Sequence, residues 1–213
     1  MNDNDVKLNT KEKVHLGIEA CLQLIPTIGG AISTSFYGYQ KEKKLKRLES
    51  FYNELSEEMV ALKTAEQNSS ATLDMDELLS IIEDLNEKVE REHIEEKRNY
   101  FKTYFINNIL HPKRVDYDNK KFFLDILAKM TLIECNSMLH LYNEFGRVTI
   151  DSVMSGASSN FQKLGAMHRL QSYGFIEMEE RFKPGFMGEM THDTYLSITD
   201  YGSKFVQFCL KKD

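Results

Sequence analysis

Proline is scarce, three in 213 residues, so little in the chain interrupts a helix. Abundant Lys, Glu, Asn and Leu favour helix over sheet in the same way. Cysteine is equally sparse. Cys21, Cys135 and Cys209 lie far apart, are odd in number and form no CxxC, a pattern of a reducing compartment and not of a disulfide scaffold. The opening residues, MNDNDVKLNTKEK, lack the basic start, apolar run and small-residue cleavage site of a signal peptide, which predicts a cytoplasmic protein. Positive charge is in deficit too. A net charge of −6 and a pI near 5.6 exclude a surface that is as a whole an electrostatic footprint for nucleic acid.

Catalytic patterns are missing as well. There is no GxGxxG, P-loop, HExxH or nucleophile elbow. The six histidines are scattered, with none at metal-site spacing from another His, Cys or carboxylate. Glu92-His93-Ile94-Glu95-Glu96 sets carboxylates beside a histidine, and reads as a solvated helix face. The expectation is a protein that is no enzyme, with no metal, no cofactor and no small-molecule substrate.

What the chain does have is an uncharged stretch. Ala20 to Gln40 carry no charged side chain, and five of the next seven residues, KEKKLKR, are basic. Such a length approaches the ~20 residues a helix needs to cross a hydrocarbon core. A basic cluster directly after it suits anionic headgroups. Pro26, Gly29, Gly30, Gly38, Thr27, Ser33, Thr34 and Ser35 make it a poor membrane span. Three readings stand: a buried core helix, an interfacial or inducible membrane segment, and a transmembrane helix. Gly30, Thr34 and Gly38 form a small-residue ridge that fits close helix contact in lipid or in water. The candidate membrane or self-association residues are Leu22, Ile25, Ile28, Gly30, Ile32, Thr34, Phe36 and Gly38, followed by Lys41, Lys43, Lys44, Lys46 and Arg47.

Residues 1–10 read as a disordered lead-in. A first helix runs from about Thr10 to Ile25, and a second from about Thr27 to Thr64. In the second, Leu45, Leu48, Tyr52, Leu55, Met59 and Leu62 step as a heptad seam. After a polar loop at 66–72, a matching ladder follows at Met75, Leu78, Ile82, Leu85 and Val89. The pattern predicts an antiparallel helical hairpin over 11–110, closed within one chain or between two. Its acidic arm is expected to face the basic KEKKLKR, and the arm continues through Tyr100, Phe101, Tyr104, Phe105 and Ile109 as one aromatic face. Pro112 stops it, and 111–119 is the expected linker.

From 120 to 213 the order is helix, helix, short helix at TIDSVMSGA, helix, Gly174 turn, strand, Gly-containing excursion, strand TYLSIT and closing helix. That is the order of a winged helix, giving a mainly α chain that ends in an α+β domain. Leu164, Met167 and Leu170 are expected on the inner face of the third helix. A DNA-reading version would use Asn160, Lys163 and Arg169 from that helix, with Arg181 and Lys183 from the wing. Glu179, Glu180, Glu189 and Asp193 dilute the wing, and Phe182, Phe186, Met187 and Met190 make it more like a protein-docking hairpin.

These elements together resemble the Abi-alpha (abortive infection alpha) family of bacterial proteins. The resemblance rests on FFLDILAKMTLIECNSMLHLY, on NFQKLGAMHRLQSYGFIE and on YLSITDYGSKFVQFC. Leu170, Gly174, Phe175 and Ile176 match the family's turn into a strand, and Thr199, Gly202 and Phe205 its Thr-x-x-Gly-x-x-Phe ending. It covers about 120–210, and 28–110 more loosely. It implies a non-enzymatic bacterial or prophage protein linked to phage defence, with no catalytic residues to carry over. The expected partners are therefore a protein or a second copy of the chain, an anionic membrane surface, and DNA as the alternative, through a winged-helix regulator that dimerises by the hairpin.

Overall fold

The computed structural model describes residues 36–65, 74–144, 146–153, 160–184 and 190–212. The chain is mainly helical, with a small three-stranded antiparallel sheet near its C-terminus. It divides into two compact units, one ending at Ala128 and the other starting at Lys129.

In the first unit, α1 (Phe36–Ala65) and α2 (Met75–Arg91) pair within one chain. Tyr52 Oη donates to Asn86 Oδ1, and Arg47 Nε donates to the Glu90 carbonyl at 3.0 Å. Contacts that run up α1 as they run down α2 define an antiparallel pair. The two ladders meet as predicted: Leu48, Tyr52, Leu55 and Met59 are buried, as are Leu78, Ile82, Leu85 and Val89. Leu62 and Met75 lie outside the residues whose side chains are described.

The acidic arm does not continue unbroken to Ile109. It stops at Arg91, and α3 (Glu95–Leu110) starts after an extended corner at Glu92–Ile94. Neither glycine nor proline makes this corner. The Glu92 carboxylate accepts from Ile94 N at 2.9 Å and pairs with Lys97 Nζ at 2.8 Å. Lys97, 5 % exposed, also donates to the Ala128 carbonyl. Glu92 is thus a bracket at a bend, and not part of a solvated face.

Helix α3 is the central element of this unit and is buried nearly all round. Tyr100, Phe101, Tyr104, Phe105 and Ile109 fill its core as expected. Its buried cation Lys102 reaches Glu54 at 2.6 Å and Glu58 at 3.6 Å. The segment 111–119 does not separate the units, because α4 (Tyr117–Lys129) is tied to α2 and α3. Lys88 meets Asp125 at 2.7 Å, Lys121 meets Asp84 at 2.6 Å, and Tyr104 Oη donates to the Lys120 carbonyl. The acids of α2 therefore find their partners on α4. From the KEKKLKR cluster, Arg47 closes a carbonyl near the C-terminal end of α2, where the helix leaves acceptors open.

In the second unit, α5 (Leu132–Asn143) is followed by β1 (Val148–Thr149), α6 (Ile150–Val153), α7 (Asn160–Ser172), β2 (Ile176–Pro184), β3 (Met190–Ile198) and α8 (Asp200–Phe205), which runs on as a π-helical turn over Val206–Leu210. Sheet order is β1-β3-β2, in register from Ile176 opposite Ile198 to Pro184 opposite Met190. Two-residue β1, paired through Val148 with Leu196, is too short to leave a period in the sequence.

A threonine peg ties the closing helix to the turn before β2. Thr199 Oγ1 donates to the Gly174 carbonyl at 2.7 Å and accepts from Gly202 N at 2.9 Å, so one hydroxyl caps α8 and ties it to the turn before β2. The rings of Phe175 and Phe205 stack 4.4 Å apart. A Cβ on Gly202 would sit 2.1 Å from the Phe175 carbonyl oxygen, so only glycine fits. These are the residues of the Thr-x-x-Gly-x-x-Phe ending, and their work here is packing. Behind them Cys135 and Cys209 are fully buried, and burial, with Cys135 close by, pushes the Cys209 thiol well above its ordinary value.

Two predictions follow from these contacts. Gly202→Ala forces backbone apart and is expected to destabilise the protein by about 3 kcal/mol in denaturant melts, where an open glycine site would change little. For Glu92, burial works to raise the carboxyl, but the hydrogen bonds from Lys97 and Ile94 outweigh it and hold the group below its ordinary 4.5. A depressed folded value contributes stability above the unfolded value and loses it as pH falls through the folded one. The difference in stability between wild type and Glu92→Gln should therefore shrink on acidification below about pH 4.5, and a difference independent of pH would contradict this.

Candidate functional site

Helix α7 and strand β2 carry the residues singled out for DNA. The helix ends where Gly174, at φ +74°, takes the left-handed cap position and Phe175 N donates to the Leu170 carbonyl. Its inner face is Lys163, Ala166, Met167 and Leu170, all buried. Leu164, expected among them, is 39 % exposed, one turn from Phe161 at 88 %. The helix is apolar on two sides, and Leu164 falls on the outer one. Phe161, Leu164 and the exposed His168 recur at i, i+3, i+7 and share that outer side.

The cations singled out for DNA differ in exposure. Lys163 is 8 % exposed, on the inner face. Arg169 Nε donates to Glu134 Oε1 at 2.6 Å, which raises the guanidinium further above its usual range. Glu134, fully buried, also accepts from Thr131 N at 2.6 Å and Thr131 Oγ1 at 2.8 Å, while Thr131 Oγ1 caps the Glu134 amide in return. This capping box starts α5 and fixes α7 beside it. The Thr131-Leu132-Ile133-Glu134 spacing is a sequence signature of such a box, and Glu134 is the residue that the sequence reading passed over. On β2, Glu179 pairs with both Arg147 and Arg181, and the Arg181 guanidinium lies 5.5 Å over the Tyr195 ring. The side chains of Asn160 and Lys183, and those of Phe182, Phe186, Met187 and Met190 of the expected wing, lie outside the described residues.

For the membrane or self-association set, Leu22, Ile25, Ile28, Gly30, Ile32 and Thr34 lie outside the described residues. Phe36 and Gly38 fall in the first turns of α1, where side chains, like that of Lys41, are not described. Lys43 and Lys46 are exposed, Lys44 is half-buried, and Lys46 pairs with Glu42 one turn back at 2.8 Å. Arg47 is drawn into the hairpin, where its Nε donates to the Glu90 carbonyl. Among the described residues, no helix is long and apolar enough to cross a membrane, and no group of three or more His, Cys, Asp and Glu is placed to hold a metal ion. Comparison of the chain with protein-family models, with curated proteins and with solved structures gives no match.

Proposed function

We propose that this is a non-enzymatic interaction protein of the bacterial cytoplasm that docks a protein partner, or a second copy of itself, through the outer side of α7. The observation that carries the reading is the division of labour on that helix. Lys163 faces the core and Arg169 is held by a buried carboxylate, while Phe161 and Leu164 are turned outward. An exposed aromatic with an aliphatic neighbour is the composition of a protein contact. A DNA-reading helix would instead turn its cations and amides to solvent. The helix–strand–helix–helix–strand–strand order of the second unit supports a winged-helix domain used for docking, since fold alone does not imply DNA binding.

The resemblance to the Abi-alpha family supports phage defence as the setting of this activity. In that setting the segment 20–47 engages an anionic membrane surface or a second copy, with Lys43 and Lys46 held outward from α1. Each such cation contributes ~1 kcal/mol at an anionic surface.

A photo-crosslinking residue in place of Phe161, in cells carrying the full chain, is expected to give a discrete protein adduct. A nucleic-acid adduct, or none above that of an exposed control position such as Ser172, would contradict the docking role. The membrane contact is tested by flotation with anionic liposomes. Wild type should float and Gly30→Glu should not, and equal behaviour of the two would remove the segment from the proposal.

A further inference from the structure

We infer that the second unit self-associates through the open edge of β2, two copies joining antiparallel about a two-fold axis at Glu180. In the sheet order β1-β3-β2, strand β2 lies at one end, and its outer edge has no partner strand among the described residues. Along its nine residues, Ile176–Pro184, every second backbone N–H and C=O is directed away from β3. Glu177, Glu180 and Arg181 are exposed along that length.

The strand's own charges identify a second copy as the occupant. Charged side chains on an edge strand ordinarily deter pairing. Here they stand at positions that answer one another when the strand is set against itself. Opposite residues of an antiparallel pair share a face, so a two-fold axis must fall on a residue and pair odd positions with odd, even with even. With the axis at Glu180, the midpoint of β2, all nine residues overlap. Glu177 then falls opposite Lys183 of the second copy and Glu179 opposite its Arg181, each pair occurring twice. At the even positions Met178 falls opposite Phe182. Moving the axis one residue either way leaves one kind of opposite-charge pair and sets Glu179 or Arg181 against its own copy.

The contacts within one chain fit this register. Glu179 meets Arg147 and Arg181, and Arg181 lies over the Tyr195 ring, so acid and bases are gathered on one face of the sheet. Two copies bring two such clusters together across the axis, and each Glu179 gains the second copy's Arg181. Glu180 is the exception, since it meets its own copy as a like-charged pair at the axis. An isologous contact of this kind closes at two chains, and one that rests on a strand edge is small and therefore weak. The inference goes beyond the docking role of α7 and does not rest on it, because Phe161 lies on another element.

Sedimentation equilibrium of the full chain, at concentrations up to about 1 mM, is expected to show a monomer–dimer equilibrium. Glu179→Arg and Arg181→Glu should each weaken it about tenfold, since either reversal sets like charges opposite each other twice. Mixed in equal amounts, the two variants should pair with each other as tightly as wild type pairs with itself, because each supplies the charge that the other lacks. Glu180→Gln, which removes the like-charged pair, should tighten the dimer, and Phe161→Ser should leave it unchanged. The inference is overturned if the chain stays monomeric over that range, if the single reversals dimerise as wild type does, if their mixture recovers nothing, or if Glu180→Gln fails to tighten the dimer. Loss of the dimer in Phe161→Ser but not in the charge reversals would assign self-association to α7 and overturn it too. Circular dichroism checks that the variants fold. Where a reversal does not, Glu177→Lys, at an exposed position, takes its place with the same expected loss, and a dimer indifferent to that change contradicts the inference.

Discussion

Glu134 is a fully buried carboxylate with three donors on it: the amide and hydroxyl of Thr131, and the guanidinium of Arg169. A buried carboxylate without such partners is costly. With them, it starts α5 and locks α7 against it. The side of α7 that faces inward is thereby set, and with it the side that faces out. Phe161 and Leu164 owe their exposure to this arrangement, and Arg169 owes it its place at the edge of the core. One ion pair thus underlies both the packing of the second unit and the character of its outer surface. From the opposite end of the unit, Thr199, Gly202 and Phe205 hold the closing helix against Phe175.

The first unit uses the same device on a larger scale. Its central helix buries Lys97 and Lys102, and each is met by a carboxylate from a neighbouring segment, Glu92 at the corner and Glu54 on α1. Lys120 of α4, also buried, stands near Glu77 of α2. Isolated surface pairs contribute little, but a buried lysine cannot be left alone, so these carboxylates specify which segment lies beside which. The acidic character of α2 is in this sense structural: Glu77 and Asp84 answer Lys120 and Lys121 of α4.

Much of this was legible in the residues. The two heptad ladders, the aromatic face of α3, the Gly174 turn and the strand–strand–helix ending all come from periodicities and punctuation that have one physical solution. The misreadings have physical causes. The corner at Glu92 carries no glycine or proline, because a side chain, and not the backbone, stabilises it. Helix α7 has apolar residues on two sides, so periodicity alone placed Leu164 inward with Met167 and Leu170. The ion pair of Arg169 was hidden because the charge that answers it lies 35 residues earlier, on another helix.

The family likeness rests on residues that prove to be structural here. Leu170, Gly174, Phe175, Thr199, Gly202 and Phe205 are core, cap and close-packing positions. Such a set constrains the fold of the second unit more tightly than its activity, so activity must be argued from the outer face of α7. The claim on which everything turns is that Arg169 belongs to the fold and not to a nucleic-acid surface. It is tested most directly by titrating duplex DNA with the full chain over a range of salt, wild type beside Arg169→Gln. The account predicts weak binding with the same salt dependence in both. Tight binding by wild type, with a log–log salt slope that falls by about one in the variant, would contradict it.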